Sequence, residues 1–254
     1  MDKPAILLFH GLASNPKELA YIAQGLRVAG YYVVIPELKG YTHTLLNNSE
    51  YGDWINLALD EFDKVAFSHK EVVVGGLCIG ALLALHVAQN RKVHKILALS
   101  TTLYYDSWGN HWTKLLLPLH PFIPFSGRIS IRERSPYGVK NIRLRELLAK
   151  QMKRKGISRA GASRLLVSDI YEARQLAKDV EVNLSKITAP ILILHAEEDE
   201  ITTLKSAYTV MRKVSSKIIR CTILTNSYHM ISIDNDKWLV VTETLDFLRA
   251  KNAI

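Results

Sequence analysis

The chain has 254 residues, 48% of them hydrophobic, which suits one large α/β domain, or one domain with an insertion, and excludes a disordered chain. Its net charge is +9, but the excess is local: 15 of the 33 Lys+Arg and 6 of the 24 Asp+Glu lie in 103–180, and the remaining 18 of each sign cancel. The basic block could meet an anionic lipid or an anionic substrate such as acyl-CoA, or be a solvated helical face; no nucleic-acid signature accompanies it, so no nucleic-acid partner is expected.

The first strand is "AILLF", 5–9. This apolar run is too short for a signal core or a membrane span. The next helix opens with Asn15 as cap and Pro16 in its first turn. "YYVVIP" (31–36) reads as a second strand. In 51–67, Trp54, Leu57, Ala58, Phe62 and Val65 stand at helical spacing. "EVVVGG" (71–76) is a β-branched run of the kind buried on both faces of a parallel sheet. A helix over 79–90 and the strand "HKILALS" (94–100) follow. Further on come a strand at 190–196, a helix at 204–214, a strand at 217–224 and a closing helix at 237–251. Strand–helix alternation with right-handed crossovers predicts a doubly wound, mostly parallel sheet.

The stretch 103–185 breaks the rhythm and reads as an inserted cap between two core segments, 1–102 and 186–254. Its opening is aromatic and apolar, with Tyr104, Tyr105, Trp108, Trp112, Leu115, Leu117, Phe122 and Phe125 interrupted by Pro118, Pro121 and Pro124. Over a site at the C-terminal edge of the sheet it would line an acyl pocket; ordinary cap core is the plainer alternative. It then becomes basic and helical, and ends in another helix.

Gly76-Leu77-Cys78-Ile79-Gly80 lies between a predicted strand and a predicted helix. A turn this sharp needs the flanking glycines, and it lifts its central residue to a helix N-terminus, where free N–H groups favour a thiolate and a developing oxyanion. The bland alternative is a small buried residue in a tight turn. Three further features favour chemistry. His10-Gly11-Leu12 leaves the first strand where one oxyanion donor is found on such sheets, so the N–H groups of Leu12 and Ile79 are the expected pair; His10 shapes the loop and transfers no proton. Asp199 stands just past a strand end, although Glu197, Glu198 and Glu200 beside it could simply form a solvated loop. His229 follows the next strand and is placed to act as base toward Cys78, with Asp199 holding its tautomer.

These motifs resemble the α/β-hydrolase superfamily, in particular its bacterial carboxylesterase and monoacylglycerol-lipase-like branch. The resemblance covers the sheet-forming parts, about 1–100 and 185–254; in the cap it extends to position and helical character. It implies an α/β-hydrolase fold, no cofactor, and hydrolysis of a small-molecule ester or thioester through an acyl-enzyme on Cys78, His229 and Asp199. Cys78 departs from the family's serine. Dienelactone hydrolases and polyhydroxyalkanoate synthases also show G-x-C-x-G, but the former lack so large a cap and the latter are much longer. A thioester intermediate is open to amines, thiols and alcohols as well as water, so acyl transfer is the alternative, and a catalytically impaired protein is a third reading. Two distant cysteines, Cys78 and Cys221, point to a reducing, cytoplasmic setting, and no Cys/His spacing suggests a metal.

Overall fold

The computed structural model describes residues 3–38, 50–107 and 129–250. Six strands form one parallel sheet: β1 (Ala5–Phe9), β2 (Val33–Val34), β3 (Val72–Leu77), β4 (Ile96–Leu99), β9 (Ile191–Ala196) and β10 (Ile219–Leu224). Their order is β10-β9-β4-β3-β1-β2. β1, β3, β4 and β9 are buried throughout, as their unbroken apolar runs require once helices cover both faces.

One face carries α2 (Tyr51–Ser68), α3 (Ile79–Asn90) and, farther along, α6 (Leu204–Lys213); the other carries α1 (Ala20–Val28) and α7 (Lys237–Arg249). Ile79 through Val87 of α3 are all buried, because this helix is apolar on every side and is enclosed by the sheet, α2 and α5 (Val167–Val182). Trp54 of α2 is fully buried in the same core. α2 starts in a capping box in which Glu50 and Asp53 exchange side-chain and backbone bonds.

Several expected elements are shorter. β2 pairs only as Ile6↔Val33 and Leu7↔Val34, as befits an edge strand that runs into Pro36, which has no N–H to give. The helix expected after Asn15 begins as a 3-10 turn, Pro16–Leu19, capped by the Asn15 side chain on Lys17 N, and becomes α-helical at Ala20.

Within 103–185 the structure shows helices and two small antiparallel ribbons. β5 (Ser130–Arg132) pairs with β8 (Arg164–Leu166), and β6 (Ile157–Ser158) with β7 (Gly161–Ala162). Between them runs α4 (Ile142–Lys155), capped by Asn141 Oδ1 on Leu144 N and ended by Gly156 at φ +69°. α5 follows β8, and its Ala173, Leu176, Ala177 and Val180 join the core around α3. The predicted acyl-pocket residues from Trp108 to Phe125 lie outside the described residues; Tyr104 and Tyr105 lie within them. Among the described residues no helix is long and apolar enough to cross a membrane.

Candidate active site

Four loops at the C-terminal edge of the sheet build one site. β3 ends at Leu77, and Cys78 turns the chain into α3 with φ +59° and ψ −117°, a conformation that costs a non-glycine residue energy and is held by its surroundings. Cys78 N donates to Leu99 O at 3.0 Å, and Cys78 O accepts from Ala81 N at 3.1 Å. The flanking glycines are sterically required. A Cβ on Gly80 would lie 2.1 Å from Phe9 O, and one on Gly76 would lie 2.3 Å from Gly80 C.

The loop after β1 lies against this elbow. Leu12 N and Ile79 N have no protein acceptor among the described residues. Gly11 N is committed elsewhere: it donates to Glu18 Oε1, while Ser14 Oγ donates to Glu18 Oε2. Glu18 is fully buried beside the pocket, and burial pushes its carboxyl up to about 7 against the pull of those two hydrogen bonds and of His229. His10 is buried with Nδ1 at 2.9 Å from Gly11 O, consistent with a loop-shaping place.

The loops after β9 and β10 bring Asp199 and His229 together. His229 Nδ1 is 2.8 Å from Asp199 Oδ2 and 3.0 Å from Oδ1, so that nitrogen carries the proton donated to the carboxylate. Asp199 Oδ1 also accepts from Ile201 N at 2.9 Å and Thr202 N at 3.0 Å. Burial alone would raise Asp199, but the His229 charge and these bonds outweigh it and hold the carboxyl low. Burial would lower His229; the charges of Asp199 and of Cys78 and the Asp199 hydrogen bond outweigh burial and hold His229 well above its ordinary value. Of the four neighbouring acids, Asp199 is the one that grips the histidine. Glu197 and Glu198 are exposed, and Glu200 Oε2 accepts from His229 N at 3.3 Å.

Several contributors escaped the sequence reading. After β4, Ser100 (φ +42°) donates from Oγ to His229 O at 2.8 Å and so fixes the histidine backbone. Thr102 Oγ1 is 3.3 Å from Cys78 Sγ and 3.1 Å from Ser100 O; its single proton can serve either. "LSTT" after a strand carries no distinguishing pattern. The segment 103–185 binds the site directly: Ala162 N of β7 donates to Ala13 O at 2.9 Å, and Gly138 O, in the turn after β5, accepts from Met230 N at 2.8 Å. A pocket opens beside Cys78 and His229, with Met152, Leu165, Ile170 and Met230 among its apolar lining. Among the described residues no group of three His, Cys, Asp or Glu side chains could hold a metal ion.

Comparisons with known proteins agree with this architecture. Residues 2–236 match the family described as serine aminopeptidase, S33. A thermostable monoacylglycerol lipase from Bacillus sp. (strain H-257) is 22% identical over 250 residues, covering 98% of this chain and 91% of the relative. A carboxylesterase from Bacillus subtilis (strain 168) is 19% identical over 96% of this chain and 92% of the relative. Among solved structures, a metagenome-derived lipolytic enzyme superposes with a TM-score of 0.82 at 21% identity, covering 98% of this chain and 94% of the other. With a match over nearly the whole chain, on a six-stranded α/β-hydrolase sheet, the protein belongs to the serine aminopeptidase, S33, family and is an esterase-like hydrolase.

Proposed function

We propose that the protein hydrolyses carboxylic esters or thioesters of small molecules through a covalent acyl-enzyme on Cys78. The observation that carries this reading is the His229–Asp199 pair, 2.8 Å apart, with Cys78 on a strained turn as the other neighbour of the ring. The named activities of the two Bacillus relatives, on monoacylglycerols and carboxylic esters, support the substrate class. The apolar pocket suits an acyl chain.

In this mechanism the Cys78 proton passes to His229 Nε2 and the thiolate attacks the acyl carbon. The carbonyl oxygen becomes an oxyanion that accepts from the N–H groups of Leu12 and Ile79. The bond to the leaving oxygen or sulfur breaks, and His229 Nε2 returns its proton to that atom. His229 then takes a proton from water, the hydroxide attacks the thioester, the C–S bond breaks and Cys78 regains the proton. Asp199 keeps the proton on His229 Nδ1 throughout and stabilises the imidazolium. Thr102 Oγ1 turns from Ser100 O toward Sγ when the sulfur is anionic.

The cap spans 103–185 in this reading, with Ala173, Leu176, Ala177 and Val180 of α5 joining the core around α3. The outer side of α4 carries exposed Arg143, Lys150, Lys153, Arg154 and Lys155 and supports weak contact with an anionic lipid surface. The cysteine nucleophile also makes acyl transfer the second reading, since a thioester yields to amines and thiols as well as to water.

The test is intact-protein mass after brief mixing with p-nitrophenyl esters of several chain lengths, with Cys78→Ala alongside. Continuous nitrophenol release that the variant lacks supports hydrolysis. A burst with a stable acyl adduct on Cys78 supports transfer to another acceptor. Release that persists in the variant overturns both.

A further inference from the structure

The chain is basic, but the polar wall of the pocket on the His229 side is acidic. Glu133 follows β5 directly and is fixed there by its N–H, which donates to Ser163 O at 2.9 Å. The residue is half-buried and lines the pocket together with Cys78 and His229. Among the described residues no side chain pairs with it. Glu200, on the loop after β9, is not part of the pocket lining but adjoins His229. Its Oε2 accepts from His229 N, and its Oε1 is buried with no hydrogen-bond partner. The two carboxyls are close enough to act on each other: burial first, and the charge of Glu200 second, push Glu133 up to about 7.

His229 acts on both carboxyls from one side, and the other nearby basic groups do not neutralise the pair. Arg132 and Arg134, on either side of Glu133, are exposed, and Lys140 is paired with Glu198 at 3.0 Å. An unpaired carboxyl in a pocket lining is costly to keep from water, and a site that retains one, with a second half-satisfied carboxyl beside it, is complementary to something that arrives with a positive charge. The absence of a three-ligand cluster among the described residues makes a metal ion a poor occupant and an organic cation a good one. The position fixes which part of the substrate is concerned. His229 hands its proton to the leaving group, so groups beside His229 face the leaving group, whereas Met152, Leu165 and Ile170 offer only apolar contact.

We propose that Glu133, with Glu200 adjoining it behind His229 N, forms an acidic subsite beside His229 that binds a protonated amine on the leaving group of the ester. The proposal rests on the reading of Cys78 and His229 as the reacting pair. It makes the substrate an ester of an amino alcohol and gives the pocket a polarity opposite to that of the protein's outer face. A leaving group that places a carboxylate or phosphate at this point meets like charge and is rejected.

The experiment compares two leaving groups of equal shape. Wild-type protein is assayed at neutral pH with the 2-(dimethylamino)ethyl and 3-methylbutyl esters of butyric acid, which differ by N–H⁺ against C–H, and with glyceryl monobutyrate; released butyrate is measured by NMR. The aminoethyl ester is expected to have a kcat/KM about tenfold or more above its neutral isostere, the factor given by about 1.4 kcal/mol of ion pairing. Glu133→Gln brings the ratio close to one, and Glu133→Asp, which keeps the charge, retains a preference. Equal kcat/KM for the two isosteres, or a preference that survives in a folded Glu133→Gln variant, overturns the proposal. So does a preference for the glyceryl ester that Glu133→Gln removes, since the carboxyl then serves hydroxyls. Calorimetric binding of the same two esters to Cys78→Ala asks the question without turnover. If no ester is hydrolysed by wild type, the hydrolase reading fails, and this comparison alone decides: tighter binding of the cationic ester supports the subsite, and equal binding removes it.

Discussion

Glu18 makes stability depend on pH in a calculable way. Its carboxyl is fully buried and held at about 7, against 4.5 for an ordinary glutamate. Below pH 4.5 the folded and unfolded chains both keep this proton. Between 4.5 and about 7 the folded chain alone keeps it, so folding is progressively disfavoured as pH rises, and the full deficit persists above that window. At about 1.4 kcal/mol for each tenfold change in acidity, the loss is about 3 kcal/mol. Glu18→Gln removes the titration and can preserve both contacts, since its amide oxygen accepts from Gly11 N and its amide nitrogen donates to Ser14 Oγ. Urea unfolding of wild type and variant, followed by tryptophan fluorescence at pH 4.5, 6 and 8, gives the difference directly, and contributions from other acids cancel between the two proteins. The stability of the variant relative to wild type is expected to rise by about 3 kcal/mol from the lowest to the highest pH. A difference constant to within about 0.5 kcal/mol would refute the argument, because a glutamate with an ordinary acidity in this place would show no such trend.

Asp199→Asn leaves the fold intact but lets His229 lose its tautomer; kcat on a p-nitrophenyl ester should fall by about 10³ to 10⁴ with an unchanged thermal midpoint, and a loss under tenfold would dismiss Asp199 as the orienting acid. Gly80→Ala puts a methyl group 2.1 Å from Phe9 O; with backbone on both sides and nothing flexible to move, the variant should be insoluble or lose more than about 4 kcal/mol in urea unfolding. Lys95 is buried with Nζ at 2.9 Å from Phe247 O, 3.2 Å from Leu248 O and 2.8 Å from Ala250 O, closing the C-terminal end of α7. Lys95→Met should cost about 1 to 3 kcal/mol and speed amide hydrogen exchange in the last turn of α7, with esterase activity unchanged.

The parts of the molecule that were legible in the sequence are those governed by local rules. A β-branched run, a glycine-flanked turn and an apolar helix predict β3, the elbow and α3, and α3 spans 79–90 as expected. Position just past a strand end singles out Asp199, the loop after the following strand offers His229, and the structure brings their side chains into contact. What was not legible depends on partners far apart in the chain. Glu18 looks like an acid in the first turn of a helix, a common and unremarkable place, and its grip on Gly11 and Ser14 appears only when the loop closes. Glu133 lies in an arginine-rich stretch whose composition suggests a solvated face. The ribbons β5–β8 and β6–β7 have two or three residues per strand, too short for any alternation to register. β2 was overextended because an edge strand and a central strand have similar propensity, and Pro36 decides between them.

The bonds from Ala162 to Ala13 and from Met230 to Gly138 have a consequence for anyone wishing to remodel this protein. Caps are attractive modules to exchange between relatives, because they are inserted at one place in a conserved sheet. Here the proposed cap is stitched to the sheet loops: one stitch runs to the loop that presents Leu12, the other to the residue after His229. A chimera that imports a foreign cap loses both stitches at once and leaves the two loops to find new positions. Grafts that retain 136–139 and 157–162 from this chain, and vary only the segments between and before them, keep the chemistry in register while changing what enters.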